Sequence, residues 1–255
     1  MSTFTILRRC TTAFIACFLV ASFSGQALAI PFFEFTTPDQ ALPSPYPGFL
    51  GGGLNGNIWA SVPFPASIPA RTLAFSESYI ASNPTPSGTF TSTQIDYPNG
   101  SANVSPVPGT SICTFLGTDC SSLSSPSLGS VDFHNSIIEL NGYLAIPTAF
   151  TTYQFDLGSD DGSEVWIQGT SILKRDGIHA FTLGVNPVDV KFDAAGLYAI
   201  RLLYYEAEPT EGGLCMTHGP LDNCNIVVVP EPATIPLLGI GLYGLALTRR
   251  RRLMA

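Results

Sequence analysis

Two neighbouring carboxylates, Asp160 and Asp161, stand in the stretch Tyr153-Gln154-Phe155-Asp156-Leu157-Gly158-Ser159-Asp160-Asp161-Gly162-Ser163-Glu164-Val165-Trp166-Ile167-Gln168-Gly169. Its pattern is strand, acidic turn, strand, turn. Adjacent carboxylates in a tight turn repel one another, and a hard divalent cation relieves that repulsion while taking oxygen ligands. Gly162 is expected to permit the sharp backbone that presents both side chains on one side. Asp and Gly are also good turn formers, so a solvated hairpin tip accounts for the same residues. Calcium takes about six to eight oxygens, so two carboxylates need further ligands from elsewhere in the chain.

Other reactive side chains are few. Trp166 and Trp59 offer rings that could stack on a sugar, although Trp166 alternates with Val165 and Ile167 and so equally suits a core. The histidines are His134, His179 and His218. They form no zinc-protease helix motif, and there is no Gly-x-Ser-x-Gly elbow and no phosphate loop. Glycoside hydrolysis needs two acids roughly 5–10 Å apart across the bond. Asp160 and Asp161 are poorly arranged for that, and nothing in the sequence selects Asp176 or Glu206 as a partner. No enzyme is expected from these residues.

Six cysteines divide by position. Cys10 and Cys17 fall in an N-terminal export segment, leaving Cys113, Cys120, Cys215 and Cys224. An even number in an exported chain favours disulfides. Of three connectivities, Cys113–Cys120 and Cys215–Cys224 are favoured, because each pair lies within one loop-like segment. A metal site of Cys215, His218 and Cys224 is the alternative, although its spacing fits no zinc pattern.

Both ends of the 255 residues read as addressing segments. Arg8 and Arg9, the apolar run from Thr11 to Phe23 and the small-x-small Ala27-Leu28-Ala29 predict a cleaved signal peptide over 1–29. At the other end, Pro230-Glu231-Pro232 precedes an apolar stretch, and Arg249, Arg250, Arg251 and Arg252 follow it. Such an order is a stop-transfer element, with a transmembrane segment over 235–248 held by the cationic cluster. The span is short of the ~20 residues a stable one prefers, which suits temporary residence.

Between the ends only five basic residues remain, Arg71, Lys174, Arg175, Lys191 and Arg201, against nearly all of the 19 acids. An acidic domain repels phosphate backbones, so nucleic acid is not an expected partner. With 24 Gly, 21 Pro and 12% charged residues, the composition favours short strands and turns. After an irregular lead-in over 30–52, a first strand is expected at Gly53–Trp59 and one short helix over Thr72–Asn83, ended by Pro84. A strand from Gly88, a turn at Asp96-Tyr97-Pro98-Asn99-Gly100 and a loop-rich insert from Thr110 to Ser127 follow. Strands are then predicted at Val131–Leu140, Tyr143–Ile146, Thr151–Leu157, Glu164–Gln168, Ile178–Leu183, Val188–Phe192 and Leu197–Tyr205, with a tight turn at Asn141-Gly142. The expected fold is mainly β, an antiparallel sandwich or barrel.

The tail resembles the PEP-CTERM sorting signal, by its Pro230-Glu231-Pro232, apolar run and arginine cluster. That resemblance implies export through the translocon, transient inner-membrane anchoring, removal by an exosortase, and a final place at the cell surface or in an exopolysaccharide matrix. The turn Ser159–Ser163 with Trp166-Ile167 and Gly169 looks like the core of a PA14 domain. So do Gly53-Leu54-Asn55-Gly56, Ala194-Ala195-Gly196-Leu197-Tyr198 and Leu202-Leu203-Tyr204-Tyr205-Glu206. The resemblance spans about residues 53–229. It implies that Asp160 and Asp161 bind Ca2+, that the ion coordinates sugar hydroxyls, and that Asn223 and Asn225 supply further ligands. The other expectation is a non-catalytic scaffold of the matrix.

Overall fold

Alternation of apolar and polar side chains sorts most strands into two layers, each with one face turned to a shared interior. In the computed structural model the described residues are 30–42, 53–98, 110–209, 211–218 and 228–229. In chain order they form β1 (Phe32–Phe35), β2 (Leu54–Trp59), α1 (Leu73–Ser82), β3 (Gly88–Ser92), β4 (Asp96–Tyr97), α2 (Ile112–Leu116) and β5 (Ser136–Ile146). Then come β6 (Thr151–Asp160), β7 (Ser163–Ile167), β8 (Thr170–Arg175), β9 (Val188–Phe192), β10 (Gly196–Glu206), β11 (Gly213–His218) and β12 (Val228–Val229). One sheet runs β1-β9-β6-β11-β4; the other runs β3-β2-β5-β10-β7-β8, with β12 also on β5. Pairing is antiparallel except for β1 on β9.

The core lies between the sheets. Phe155 and Leu157 of β6, Val190 and Phe192 of β9, and Leu214 and Met216 of β11 meet Val165 and Ile167 of β7 and Tyr198, Ile200, Leu202 and Tyr204 of β10. Burying such apolar area is the main stabilising term, roughly 25 cal/mol per Å². The intervening residues of β10 face outward, where Leu203 and Tyr205 pack with Trp59, Val62 and Leu73 beneath α1.

The anticipated helix is α1. Its Thr72 cap accepts from the Phe75 amide at 3.2 Å, and Asp176 accepts from the Leu73 amide at 2.8 Å. Arg201 fastens it to the sheet through Glu77, with two bonds of 2.7 and 2.9 Å.

Several expectations need correction. Asn141-Gly142 is no turn, and β5 runs straight through it. Asn141 is paired on both sides, with Asn55 and Arg201, so the neighbouring strands override the dipeptide's preference. The insert carries a second helix, α2, with 3-10 turns at Gly117–Ser122 and Pro126–Ser130, in place of a loop. Asp96-Tyr97 pairs with β11, and the lead-in gives β1. Residues Ile178–Leu183 form no strand; β8, which the expected pattern lacks, takes the edge beside β7. Strand β11 is likewise absent from the expected pattern. No helix among the described residues is long and apolar enough to cross a membrane. The expected signal peptide, the segment 235–248, Pro230, Glu231, Pro232 and the four arginines lie outside the described residues.

Candidate metal site at the sheet crossover

Strand β6 belongs to the first sheet and β7 to the second, so Asp160-Asp161-Gly162 is the corner at which the chain changes layers. Strand β10 ends in the second sheet at Glu206, and the chain crosses back to β11, where Gly213 pairs with Asp160. Both crossovers therefore meet at one place. Register fixes who meets whom: Tyr204 opposes Ser163, and the Tyr205 amide donates to the Gly162 carbonyl at 2.9 Å. One step further along each chain sets Glu206 beside Asp161.

One carboxylate oxygen from each of Asp160, Asp161 and Glu206 lies within 4.8 Å of the other two. The residues are 5%, 1% and 1% exposed. The Asp160–Asp161 peptide bond is cis. Asp161 Oδ1 accepts from the His179 amide at 3.2 Å, and Oδ2 from the Ala207 amide at 3.1 Å. The Phe181 amide donates to the Asp160 carboxylate. Glu206 Oε1 accepts from the Glu208 amide at 2.9 Å. The Tyr204 hydroxyl donates to the Asp160 carbonyl and lies 3.2 Å from Glu206 Oε2. Gly162 is required by close approach: a Cβ there would sit 2.3 Å from the Tyr205 ring. It is not among the residues with positive φ, so the close contact, and not left-handed backbone, is what calls for glycine there.

Three buried acids crowd their negative charge. Burial first, and then Asp161, push the Asp160 carboxyl up to about 7. Burial, then Asp161 and Asp160, push Glu206 up to about 11. Removing water disfavours the charged form, and each neighbouring carboxylate adds repulsion. A divalent cation is the partner that reverses both effects, and an all-oxygen set suits calcium or magnesium over softer metals.

Sequence reasoning places Asp160 and Asp161 together but misses Glu206 as a member of the cluster. Its one signal is a charge closing the apolar run of β10, and only the register gives that charge a position. The other candidates lie elsewhere. Trp166 lies near the far end of β7, with Arg201 stacked 4.7 Å from its ring centroid. Trp59 is buried and donates Nε1–H to the Asn83 carbonyl at 2.8 Å. Asp176, considered as a second acid, caps α1. Cys113 and Cys120 form a disulfide, with Cα atoms 5.1 Å apart. Cys215 is also disulfide-bonded, which leaves it no thiolate for the alternative metal site. Cys224, Asn223 and Asn225 lie outside the described residues.

The PA14 domain family pattern matches residues 117–230, and the PEP-CTERM protein-sorting motif matches 228–252. The chain thus carries a PA14-like domain followed by a PEP-CTERM motif. No curated protein matches it. Among solved structures, a PA14 sugar-binding domain from an RTX adhesin is similar at 20% identity and a TM-score of 0.51, covering 66% of this chain and 90% of that one. The PA14 domain of the antifreeze protein MpAFP is similar at 20% identity and a TM-score of 0.54, covering 71% and 92%. These likenesses establish the fold.

Proposed function

We propose that this is an exported carbohydrate-binding protein whose PA14-like domain, residues 53–229, holds calcium at Asp160 and Asp161 with Glu206 beside them. The observation that carries the reading is the convergence of three buried carboxylates within 4.8 Å at the crossover. Calcium bound there would supply open coordination positions for sugar hydroxyls. Asp160 and Asp161 would hold it, and the amides of His179 and Ala207 would fix Asp161 against it. Asn223 and Asn225 are proposed further ligands. The RTX adhesin domain of the same fold is described as sugar-binding, which supports a glycan or exopolysaccharide as partner.

Delivery follows from the ends. Residues 1–29 act as the signal peptide for the secretion translocon. The PEP-CTERM motif, Pro230-Glu231-Pro232, the segment 235–248 and Arg249 to Arg252 hold the chain in the inner membrane until an exosortase removes the tail. The product resides at the cell surface or in the matrix.

A scaffold without bound ion is the second reading. What favours it is that backbone amides already satisfy Asp161 on both oxygens. Calcium titration of the full chain by calorimetry separates the two, with Asp160→Asn/Asp161→Asn as control. A binding heat in the wild type alone supports calcium; no heat in the wild type leaves the scaffold. Glycan capture with and without chelator then tests the sugar.

A further inference from the structure

A column of aromatic rings lies beneath the acids. Tyr204 is fully buried, and its ring lies 5.8 Å from that of Phe115 at an interplanar angle of 3°, and 6.1 Å from Phe133 at 11°. Phe115 and Phe133 stack on each other at 3.7 Å, and Tyr97 stacks on Phe115 at 5.3 Å. Phe115 belongs to α2, inside the insert closed by Cys113–Cys120. Gly129 is pressed so tightly on that disulfide that a Cβ would lie 2.4 Å from Cys113 Sγ. The insert therefore grips a ring whose hydroxyl meets the acids.

That hydroxyl donates to the Asp160 carbonyl. The carbonyl is part of the peptide joining Asp160 to Asp161, so its orientation sets the plane from which both carboxylates project. We infer that Tyr204 is the positioning residue of the acidic site, and that the disulfide-closed insert holds it there through Phe115, with Phe133 stacked alongside. The role deepens the metal-binding reading and rests on it for its functional meaning. The insert thereby gives rigid support to a ligand pair that it does not itself contain.

Tyr204→Phe in the full chain keeps the ring in its column and removes only the hydroxyl. Terbium, a luminescent substitute for calcium, is titrated into both proteins. The variant is expected to bind about tenfold more weakly, the usual effect of losing one buried hydrogen bond. Without any metal, the His179 and Ala207 amides that donate to Asp161 are expected to exchange hydrogen faster in the variant, while the Val190 amide in β9 is unchanged. Phe115→Leu is expected to shift both readouts in the same direction by a smaller factor. Equal terbium affinity in wild type and Tyr204→Phe overturns the positioning role and leaves the metal reading standing. Unchanged exchange at His179 and Ala207 overturns it as well. Failure of the wild type to bind terbium defeats the metal reading, and exchange at the two amides then decides whether Tyr204 orders the aspartates.

Discussion

The Tyr205 amide donates to the Gly162 carbonyl at 2.9 Å, and through that bond the end of β10 is locked to the acidic corner. Tyr205 also lays its ring against Gly162 and donates its hydroxyl to the Arg71 carbonyl at 2.8 Å. A single residue thus sets both the register that delivers Glu206 and the room available at the turn.

Gly162→Ala places a methyl into the Tyr205 ring, and overpacking of this kind costs about 1–3 kcal/mol. Thermal unfolding of the variant is expected at a lower Tm, with calcium affinity falling alongside because the turn must shift.

Asp161→Asn replaces one acceptor oxygen with an amide group that faces a backbone donor, either His179 or Ala207. Leaving such a pair unsatisfied costs about 1–3 kcal/mol. Calcium binding is expected to be lost, and chemical denaturation should show reduced stability even without metal.

Calcium binding is expected to strengthen as pH rises through about 7, where Asp160 gives up its proton. Glu206, raised to about 11, holds a proton at neutral pH in the ion-free protein. Binding should therefore release protons, seen as a dependence of calorimetric heat on the buffer's ionisation enthalpy. For the ion-free fold the sign is reversed from the usual carboxylate case. Both groups bind their protons more tightly folded than unfolded, so stability is greatest below about 4 and declines as pH rises through about 7 for Asp160. Denaturation midpoints at pH 4 and pH 8, with chelator present, check this.

Cys113→Ser/Cys120→Ser opens a loop of separation seven. Closing so short a loop contributes about 2–3 kcal/mol on the chain-entropy account, and the Tm is expected to fall accordingly.

Trp166→Ala removes the ring under Arg201, on the outer face of the second sheet. Stability is expected to fall by about 1 kcal/mol, and calcium and glycan binding to stay unchanged. Lost glycan binding with retained calcium binding would place Trp166 in the sugar site.

Local signals in the sequence identify the strands whose alternation is strong, the extent and stop of α1, and the Asp160-Asp161 pair. They fail where neighbours overrule local preference. Asn141-Gly142 favours a turn, yet strands on both flanks of β5 keep it extended. Thr170–Arg175 and Gly213–His218 carry mixed patterns, and they become strands because β7 and β6 offer edges to them. Glu206 is visible in the sequence as an acid, but its place beside Asp161 depends on pairing between strands far apart in the chain, which no local pattern encodes. Tyr204 reads as one more buried aromatic until its hydroxyl is seen on the Asp160 carbonyl.

The two layers are joined by covalent chain at the same corner where the acids gather, so an ion seated there would rivet one sheet to the other. Force applied along the chain would tend to slide such layers apart. Calcium bound at that corner would then govern how much pull the domain withstands before it yields.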